Sequence, residues 1–241
     1  MPVESVGPGG RYRVLAVVGR GGEATVYKAL DTRHERLVAL KVRPVPPNDE
    51  AAVAQLSEAR ALLSLPGHEG LSHARDDFFE DGRHVLVLDW VEGIDLGKVL
   101  SSQGAPGLPA SSVVRWLAQA AEAITVLHSH GVLHGDLKPG NLVLDQRGRV
   151  VVVDLGSSSV PGHIGPGGGT PGYRAPELAA GEPATRASDV YGLAATAFAL
   201  LSGSAPAGVL PSWDEHGPAQ ASILQGAIRA GLALDLSLIH I

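Results

Sequence analysis

The spacing of apolar residues changes partway along the chain, and this change constrains the fold more than any other feature. Residues 12–43 carry short apolar runs separated by turn formers, which predicts three β-strands. Helical spacing follows over residues 51–65, and two further β-like runs cover residues 71–79 and 84–90. Residues 111–130 are again helical in spacing, with one of two serines at the start expected to cap the helix. The sequence therefore predicts an α+β fold, in which a small sheet with one helix precedes a mainly helical part.

Composition excludes several classes of protein. The chain has 241 residues, of which 44% are hydrophobic, enough to bury a core as one two-lobed domain or as two small domains. It contains no cysteine, so disulfides and thiolate metal sites are excluded, and a reducing compartment is expected. A net charge of −6 argues against broad nucleic-acid binding. The most apolar stretch, residues 190–201, is too short and too interrupted for a membrane span and predicts a buried helix.

The segment with the strongest chemical signal runs from His134 to Asn141 and is followed closely by Asp154. Asp136, Lys138, Asn141 and Asp154 lie on loops that bracket two short β-like runs, within about twenty residues of sequence. Two carboxylates, a lysine and a carboxamide are the groups that metal-assisted phosphoryl transfer requires. The segment therefore predicts a phosphoryl-transfer site.

The N-terminal third carries weaker signals that fit the same chemistry. A glycine-rich run over residues 19–26 lies between two predicted strands, where backbone N–H groups can approach a polyphosphate. Lys41 ends an apolar strand, and Glu58 lies on the helix that follows. Taken alone, the glycines are typical of a hairpin turn and the lysine of a solvated strand edge. Their meaning depends on the segment further along the chain.

In this order and spacing, the segments resemble the protein kinase family, and the resemblance covers residues 12–202. It implies a bilobal fold, with a small N-terminal β-sheet lobe carrying one helix and a larger, mainly helical C-terminal lobe. It also implies ATP and Mg²⁺ as cofactors, with Mn²⁺ as an alternative metal, and a protein substrate. The residues that would bind ATP are Gly19, Arg20, Gly21, Gly22, Val26, Ala39, Lys41, Leu88, Asp89, Val91 and Val143.

The resemblance also assigns catalytic and metal-binding roles. Lys41 would contact the α- and β-phosphates, with Glu58 orienting it. Asp136 would accept the proton of the substrate hydroxyl, and Lys138 would stabilise the transferring phosphoryl group. The residues that would hold the metal are Asn141 and Asp154.

Three further positions refine the interpretation. Residues 169–177 resemble the segment that positions the protein substrate in this family. Lys138, together with Thr170 in that segment, resembles the pattern of the Ser/Thr branch of the family. Asp189 resembles the buried helix aspartate that braces the catalytic loop.

Two alternatives remain open, namely a pseudokinase that binds ATP as a scaffold and a small-molecule phosphotransferase of the same fold.

The sequence departs from the family pattern in two places. Gly135 stands where many kinases carry an arginine that receives an activation-loop phosphate, so we expect activity to depend only weakly on phosphorylation of Thr170 or of residues 157–159. Few residues follow Asp189 in this chain, so we expect the arginine partner of Glu177 to be missing and its carboxylate to be unpaired.

The domain organisation follows from the same resemblance. We expect a flexible tail over residues 1–10 and a kinase domain over residues 11–235, with an N-lobe of 11–91 and a C-lobe of 92–235 that is incomplete. Residues 236–241 resemble a translated sequencing adapter and are expected to be non-native. We expect a cytoplasmic enzyme in bacterial signalling, without a membrane span in this chain, and a full-length protein anchored through a missing C-terminal region. The patterns make no prediction about oligomeric state.

Overall fold

A computed structural model describes residues 5–21, 24–103, 107–155 and 170–206. The chain divides into two compact units, the first formed by residues 1–67 and 72–91 and the second by residues 68–71 and 92–241. The predicted α+β fold is confirmed, because the first unit carries a sheet and one helix and the second is mainly helical. Residues 68–71, which the sequence assigned to the N-terminal part, belong to the second unit.

The first unit is built on a six-stranded sheet in which all neighbouring strands are antiparallel, in the order β1-β2-β3-β4-β6-β5. The three strands predicted over residues 12–43 and the two predicted further along are all present. The strands are β1 (Ser5–Val6), β2 (Tyr12–Arg20), β3 (Thr25–Asp31), β4 (Arg36–Pro44), β5 (Ala74–Glu80) and β6 (Arg83–Asp89).

The start of the chain is held to this sheet from Ser5 onward, although we expected a flexible tail over residues 1–10. Strand β1 pairs with β2, and Pro8–Gly10 forms a short 3-10 turn. The carboxylate of Glu80 accepts a hydrogen bond from the backbone N–H of Gly7 at 3.0 Å. Gly7 has a φ of 82°, a conformation that glycine adopts without strain. The glycines that predicted a flexible tail therefore make a tight turn at this point.

The single helix of the first unit, α1 (Asp49–Leu63), begins after a proline-containing segment. The Asn48 side chain caps it by accepting a hydrogen bond from the backbone N–H of Ala51 at 2.7 Å. Ala59 and Leu62 are fully buried on its inner face, and the helix packs against β5. Part of the apolar spacing that predicted the helix thus marks its buried side, whereas Val53 at the start of the pattern is 61% exposed.

The second unit combines a three-stranded antiparallel sheet with four helices among its described residues. Helices α3 (Ala110–Ser129) and α5 (Arg186–Ser202) pack together and supply about half of its buried apolar side chains. The elements are β7 (Gly93–Asp95), α2 (Leu96–Gln103), α3 (Ala110–Ser129), β8 (Leu142–Asp145), β9 (Val150–Val152), α4 (Pro176–Ala179) and α5 (Arg186–Ser202).

The ends of the two long helices differ from one another. The prediction that Ser111 or Ser112 caps α3 is wrong, because the helix begins after Pro109, no side chain caps it, and both serines lie inside its first turn. Proline fits this position because its fixed φ suits helix entry. Helix α5 begins with a reciprocal pair of hydrogen bonds between Thr185 and Ser188 and ends at Gly203. No helix in the described ranges is both long and apolar enough to cross a membrane.

Candidate active-site residues

Five candidate ATP-binding residues of the first unit share one face of its sheet. Strand register places Gly19 opposite Val26 and Val26 opposite Lys41, so these three residues form one row across β2, β3 and β4. Ala39, two residues before Lys41, lies opposite Leu88 on β6. Because side chains alternate between the faces of a strand, all five positions belong to the same face. We call this face, defined by Gly19, Val26, Ala39, Lys41 and Leu88, the Lys41 face.

The glycine-rich run forms the turn between β2 and β3. Arg20 pairs with Thr25, and the backbone N–H of Gly21 donates to the carbonyl of Ala24 at 2.9 Å, while Gly22 lies outside the described residues. No atom lies within 4 Å of the place that a Cβ on Gly19 would occupy. The strand end beside this turn therefore leaves space for a ligand to approach the backbone.

The lysine at the centre of this face is buried, with 6% of its surface exposed. Glu58, expected to orient it, extends from α1 to the same side of the sheet. There its Oε2 accepts a hydrogen bond from Nη1 of Arg43 at 3.0 Å. Arg43 follows Lys41 by two residues on β4, so sequence alternation places the two cations on one face. The role of Arg43 was not predicted from the sequence.

The candidate ATP-binding residues Leu88, Asp89 and Val91 lie where the chain leaves the sheet at the end of β6. The carbonyl of Asp89 accepts a hydrogen bond from the hydroxyl of Ser72 at 2.9 Å, and its carboxylate forms a bidentate pair with Arg75 at 2.8 and 2.6 Å. The ring of Trp90 is covered by the ammonium of Lys28, 4.6 Å from the ring centroid. The backbone of Asp89 is therefore tied to the segment that precedes β5.

In the second unit, the carboxylate of Asp136 lies at the centre of a compact polar cluster. Nζ of Lys138 donates to its Oδ2 at 2.5 Å and to the hydroxyl of Thr170 at 2.7 Å. The backbone N–H and the hydroxyl of Thr170 each donate to Oδ1 at 3.0 Å. Only 10% of the Asp136 side chain is exposed. An aspartate, a lysine and a threonine are thus held together by direct hydrogen bonds.

Asn141 and Asp154, the two candidate metal-binding residues, lie close to this cluster in sequence. Each side chain has an oxygen atom of the kind that binds Mg²⁺. Nδ2 of Asn141 donates to the backbone carbonyl of Asp136 at 2.7 Å, which ties the two residues of the loop together. Asp154 adopts a φ of 63°, an uncommon conformation for a residue with a side chain. Val143, predicted to contact ATP, lies on β8 and pairs with Val151. Strained backbone beside an acidic loop is typical of functional sites.

Asp189 anchors the loop that carries these groups. Its carboxylate accepts the backbone N–H groups of His134 and Gly135 and the ring Nε2 of His128, each at 2.8 Å. The ring of His134 in turn contacts the carbonyl of Val153 at 3.1 Å. His134 therefore acts in the loop through hydrogen bonding, and Asp189 braces it.

The prediction that Glu177 is unpaired is wrong. The hydroxyl of Ser188 donates to its Oε1 at 2.6 Å. The same hydroxyl accepts the backbone N–H of Thr185 at 3.0 Å, so one serine caps α5 and holds Glu177. Serine at this position does not match the usual capping-box pattern of Glu or Gln, so neither contact of Ser188 is marked in the sequence.

The described residues also limit what can hold a metal. Within these ranges, no group of three or more His, Asp or Glu side chains is arranged around a common point. Asn141 and Asp154 are nevertheless hard oxygen donors, and Mg²⁺ is often bound by one or two such side chains together with substrate phosphates. The donor set therefore fits a metal that arrives with a nucleotide. Residues 157–159 lie outside the described residues.

Known proteins share these features. The protein kinase domain family matches residues 12–218. The probable Ser/Thr-protein kinase PknB of Lactococcus lactis is 35% identical over 206 residues, covering 81% of this chain and 32% of that protein. The Ser/Thr-protein kinase PrkC of Bacillus subtilis is 32% identical over 203 residues, covering 82% of this chain and 31% of that protein. The chain thus spans about a third of the length of these two relatives.

A solved structure extends the likeness to the fold. The crystal structure of the Mycobacterium tuberculosis PknI kinase domain superposes with a TM-score of 0.74 and 27% sequence identity, covering 98% of this chain and 92% of that chain. Because the family match covers most of the residues and the relatives exceed 30% identity, the resemblance seen in the sequence is confirmed. The chain belongs to the protein kinase family, among the bacterial, eukaryotic-like Ser/Thr protein kinases.

Proposed function

We propose that this chain transfers the γ-phosphoryl group of ATP to Ser or Thr hydroxyls of protein substrates. The observation that carries the proposal is the cluster of Asp136, Lys138 and Thr170, in which a buried carboxylate, an ammonium group and a hydroxyl are in direct contact. Phosphoryl transfer depends mainly on positioning and on electrostatic stabilisation, and this cluster supplies groups for both.

In the proposed reaction, the substrate hydroxyl oxygen attacks the γ-phosphorus of ATP, and the bond between that phosphorus and the β,γ-bridging oxygen breaks. The proton of the hydroxyl passes to the carboxylate of Asp136, and ADP leaves. Lys138 holds Asp136 in place at 2.5 Å and offsets negative charge on the transferring group. Thr170 keeps both side chains aligned through its hydroxyl.

The family in general uses ATP and a divalent metal, and we propose Mg²⁺, with Mn²⁺ as an alternative. The residues that would hold it are Asn141 and Asp154, whose oxygens suit a hard cation. Bound there, the metal would neutralise phosphate charge and stabilise the leaving group. We propose separately that Lys41 contacts the α- and β-phosphates and that the turn at Gly19 to Gly21 covers them.

We also propose a role in bacterial signalling, since the relatives are named as Ser/Thr protein kinases. ATP is a cytoplasmic metabolite, so we assign the proposed reaction to the cytoplasm. A second function, that of a pseudokinase scaffold, predicts nucleotide binding without transfer.

The test is Asp136→Asn, which preserves size and removes the proton acceptor. The turnover number for a basic protein substrate should fall at least about 100-fold, because general-base groups typically contribute that much or more. Binding of a fluorescent ATP analogue should be unchanged. Asp81→Asn, in the exposed turn between β5 and β6, is the matched control and should keep its turnover number. Equal turnover in Asp136→Asn and the unmodified chain would contradict the proposal.

A further inference from the structure

Helix α1 is attached to the sheet of the first unit at two neighbouring points. Arg43 on β4 and His84 on β6 are directly opposite each other in the strand register. Nη1 of Arg43 donates to both carboxylate oxygens of Glu58, at 3.0 and 3.3 Å. Nδ1 of His84 lies 3.2 Å from Nε2 of Gln55. One cross-strand pair therefore holds two residues that lie three positions apart on α1, and we call these four residues the polar clasp.

The polar clasp is shielded from solvent. The Arg43 and Glu58 side chains are only 12% and 14% exposed, and that of His84 is fully buried. Exposed ion pairs contribute little, but breaking a largely buried pair leaves a charge without compensation. The clasp is therefore a strong attachment and not a solvated surface contact.

His84 is itself fixed from the other side. Its Nε2 lies 2.9 Å from the carboxylate of Asp77 on β5, and its ring stacks on Phe79 with centroids 4.8 Å apart. Three strands thus contribute to one attachment: β4 through Arg43, β6 through His84 and β5 through Asp77. Such redundancy restricts both the sliding and the rotation of α1 on the sheet.

The position of the clasp links it to the proposed chemistry. Arg43 lies on the Lys41 face, two residues after Lys41, so the carboxylate it holds belongs to the side of the sheet that carries the candidate phosphate-binding groups. A single nitrogen of Arg43, Nη1, contacts both oxygens of the Glu58 carboxylate, so both oxygens face the arginine. This contact restricts the directions in which the carboxylate can turn.

We propose that Arg43 is a positioning residue for phosphoryl transfer: with His84 it sets the place of α1 and, through it, the orientation of the Glu58 carboxylate beside Lys41. The inference rests on the proposed function, because it assigns Glu58 a part in that reaction. It adds an arginine to the residues that determine activity, although Arg43 itself contacts neither nucleotide nor substrate.

The experiment is a double-mutant cycle in the full chain, made of the unmodified protein, Arg43→Met, Glu58→Gln and the double variant. Arg43→Met should lower the turnover number about tenfold, with an unchanged KM for the protein substrate. In the Glu58→Gln background, the same change should alter turnover by less than about twofold, because a residue that acts through Glu58 has no further effect once Glu58 is altered. Arg43→Lys should restore part of the loss.

Arg60→Met is the matched control, because Arg60 is exposed on the same helix, and it should keep full turnover. Equal losses from Arg43→Met in both backgrounds would overturn the proposal, since they would show a general effect on folding. A rise in turnover in Arg43→Met would also overturn the proposal, because it would mean that Arg43 keeps Glu58 away from Lys41.

The same four proteins separate this proposal from the proposed function. If even the unmodified chain transfers no phosphoryl group, the proposed function fails, and the positioning role in that reaction fails with it. Urea unfolding then tests the clasp alone. If Arg43→Met lowers the urea midpoint of unfolding when Glu58 is present but not in the Glu58→Gln variant, the clasp is retained as a structural attachment. If Arg43→Met lowers the midpoint equally in both backgrounds, the clasp is refuted as well.

Discussion

Replacement of Asp189 by asparagine tests how the loop that carries Asp136 is held in the second unit. The carboxylate accepts three hydrogen bonds of 2.8 Å, two at Oδ2 and one at Oδ1, and the side chain is 1% exposed. An amide of the same size has one oxygen, so at least one of the three donors must face an NH₂ group. The change also removes the negative charge opposite the ring of His128.

The magnitude follows from these losses. A hydrogen bond to a charged group is worth about 1.5–3 kcal/mol, and a buried donor left without a partner costs about 1–3 kcal/mol. Allowing for partial relaxation of the loop, we expect Asp189→Asn to lower the free energy of unfolding by about 3 kcal/mol. Because the loop carries Asp136, turnover should fall as well.

Urea unfolding followed by circular dichroism measures the stability, and Asp81→Asn provides the control. Asp81 is exposed in a turn with a φ of 49°, which asparagine adopts readily, so that change should alter stability by less than about 0.5 kcal/mol. A loss below about 1 kcal/mol in Asp189→Asn would refute the reasoning, since it would mean that the three hydrogen bonds do not hold the loop.

Three further predictions concern other parts of the chain. Thr170→Val removes the hydroxyl that bridges Asp136 and Lys138, and should lower turnover about tenfold in a steady-state assay while Thr170→Ser retains it. Asp31 is fully buried, and a hydrogen bond from Arg11 holds its pKa well below the ordinary value of about 3.9. Its contribution to stability is therefore complete above about pH 4 and lost as the pH falls toward the folded pKa, so Asp31→Asn should flatten the acid side of the stability profile. Gly135 has a φ of 82°, and Gly135→Ala should cost about 1 kcal/mol in urea unfolding, whereas Gly140→Ala, at a position without positive φ, should not.

The fold could be predicted because strands and helices depend on local patterns, whereas the roles of the candidate site residues rest on the resemblance to the protein kinase family and stay predictions. Short apolar runs between turn formers mark strands whichever partner they have, so β2, β3 and β4 appear in the sequence without knowledge of the sheet. The loop that contains Asp136 and Asn141 is likewise contiguous, and the structure joins these residues by a hydrogen bond.

The contacts that escaped prediction involve residues far apart in sequence. Ser188 pairs with Glu177 across eleven positions, and its hydroxyl already had a local role as a helix cap. Arg43 shares a face with Lys41 by simple alternation, but nothing in the sequence shows that Glu58 approaches it. Local rules give the face on which a side chain lies, whereas its partner depends on how strands and helices pack.

The measurement that tests the central claim most directly compares the unmodified chain with Asp154→Asn. Both are incubated with γ-labelled ATP, Mg²⁺ and a basic protein substrate, and the label is read on phosphoserine and phosphothreonine. We predict label with the unmodified chain alone, because Asp154 would hold the metal. Equal label in both proteins, or label confined to phosphotyrosine, would contradict the account.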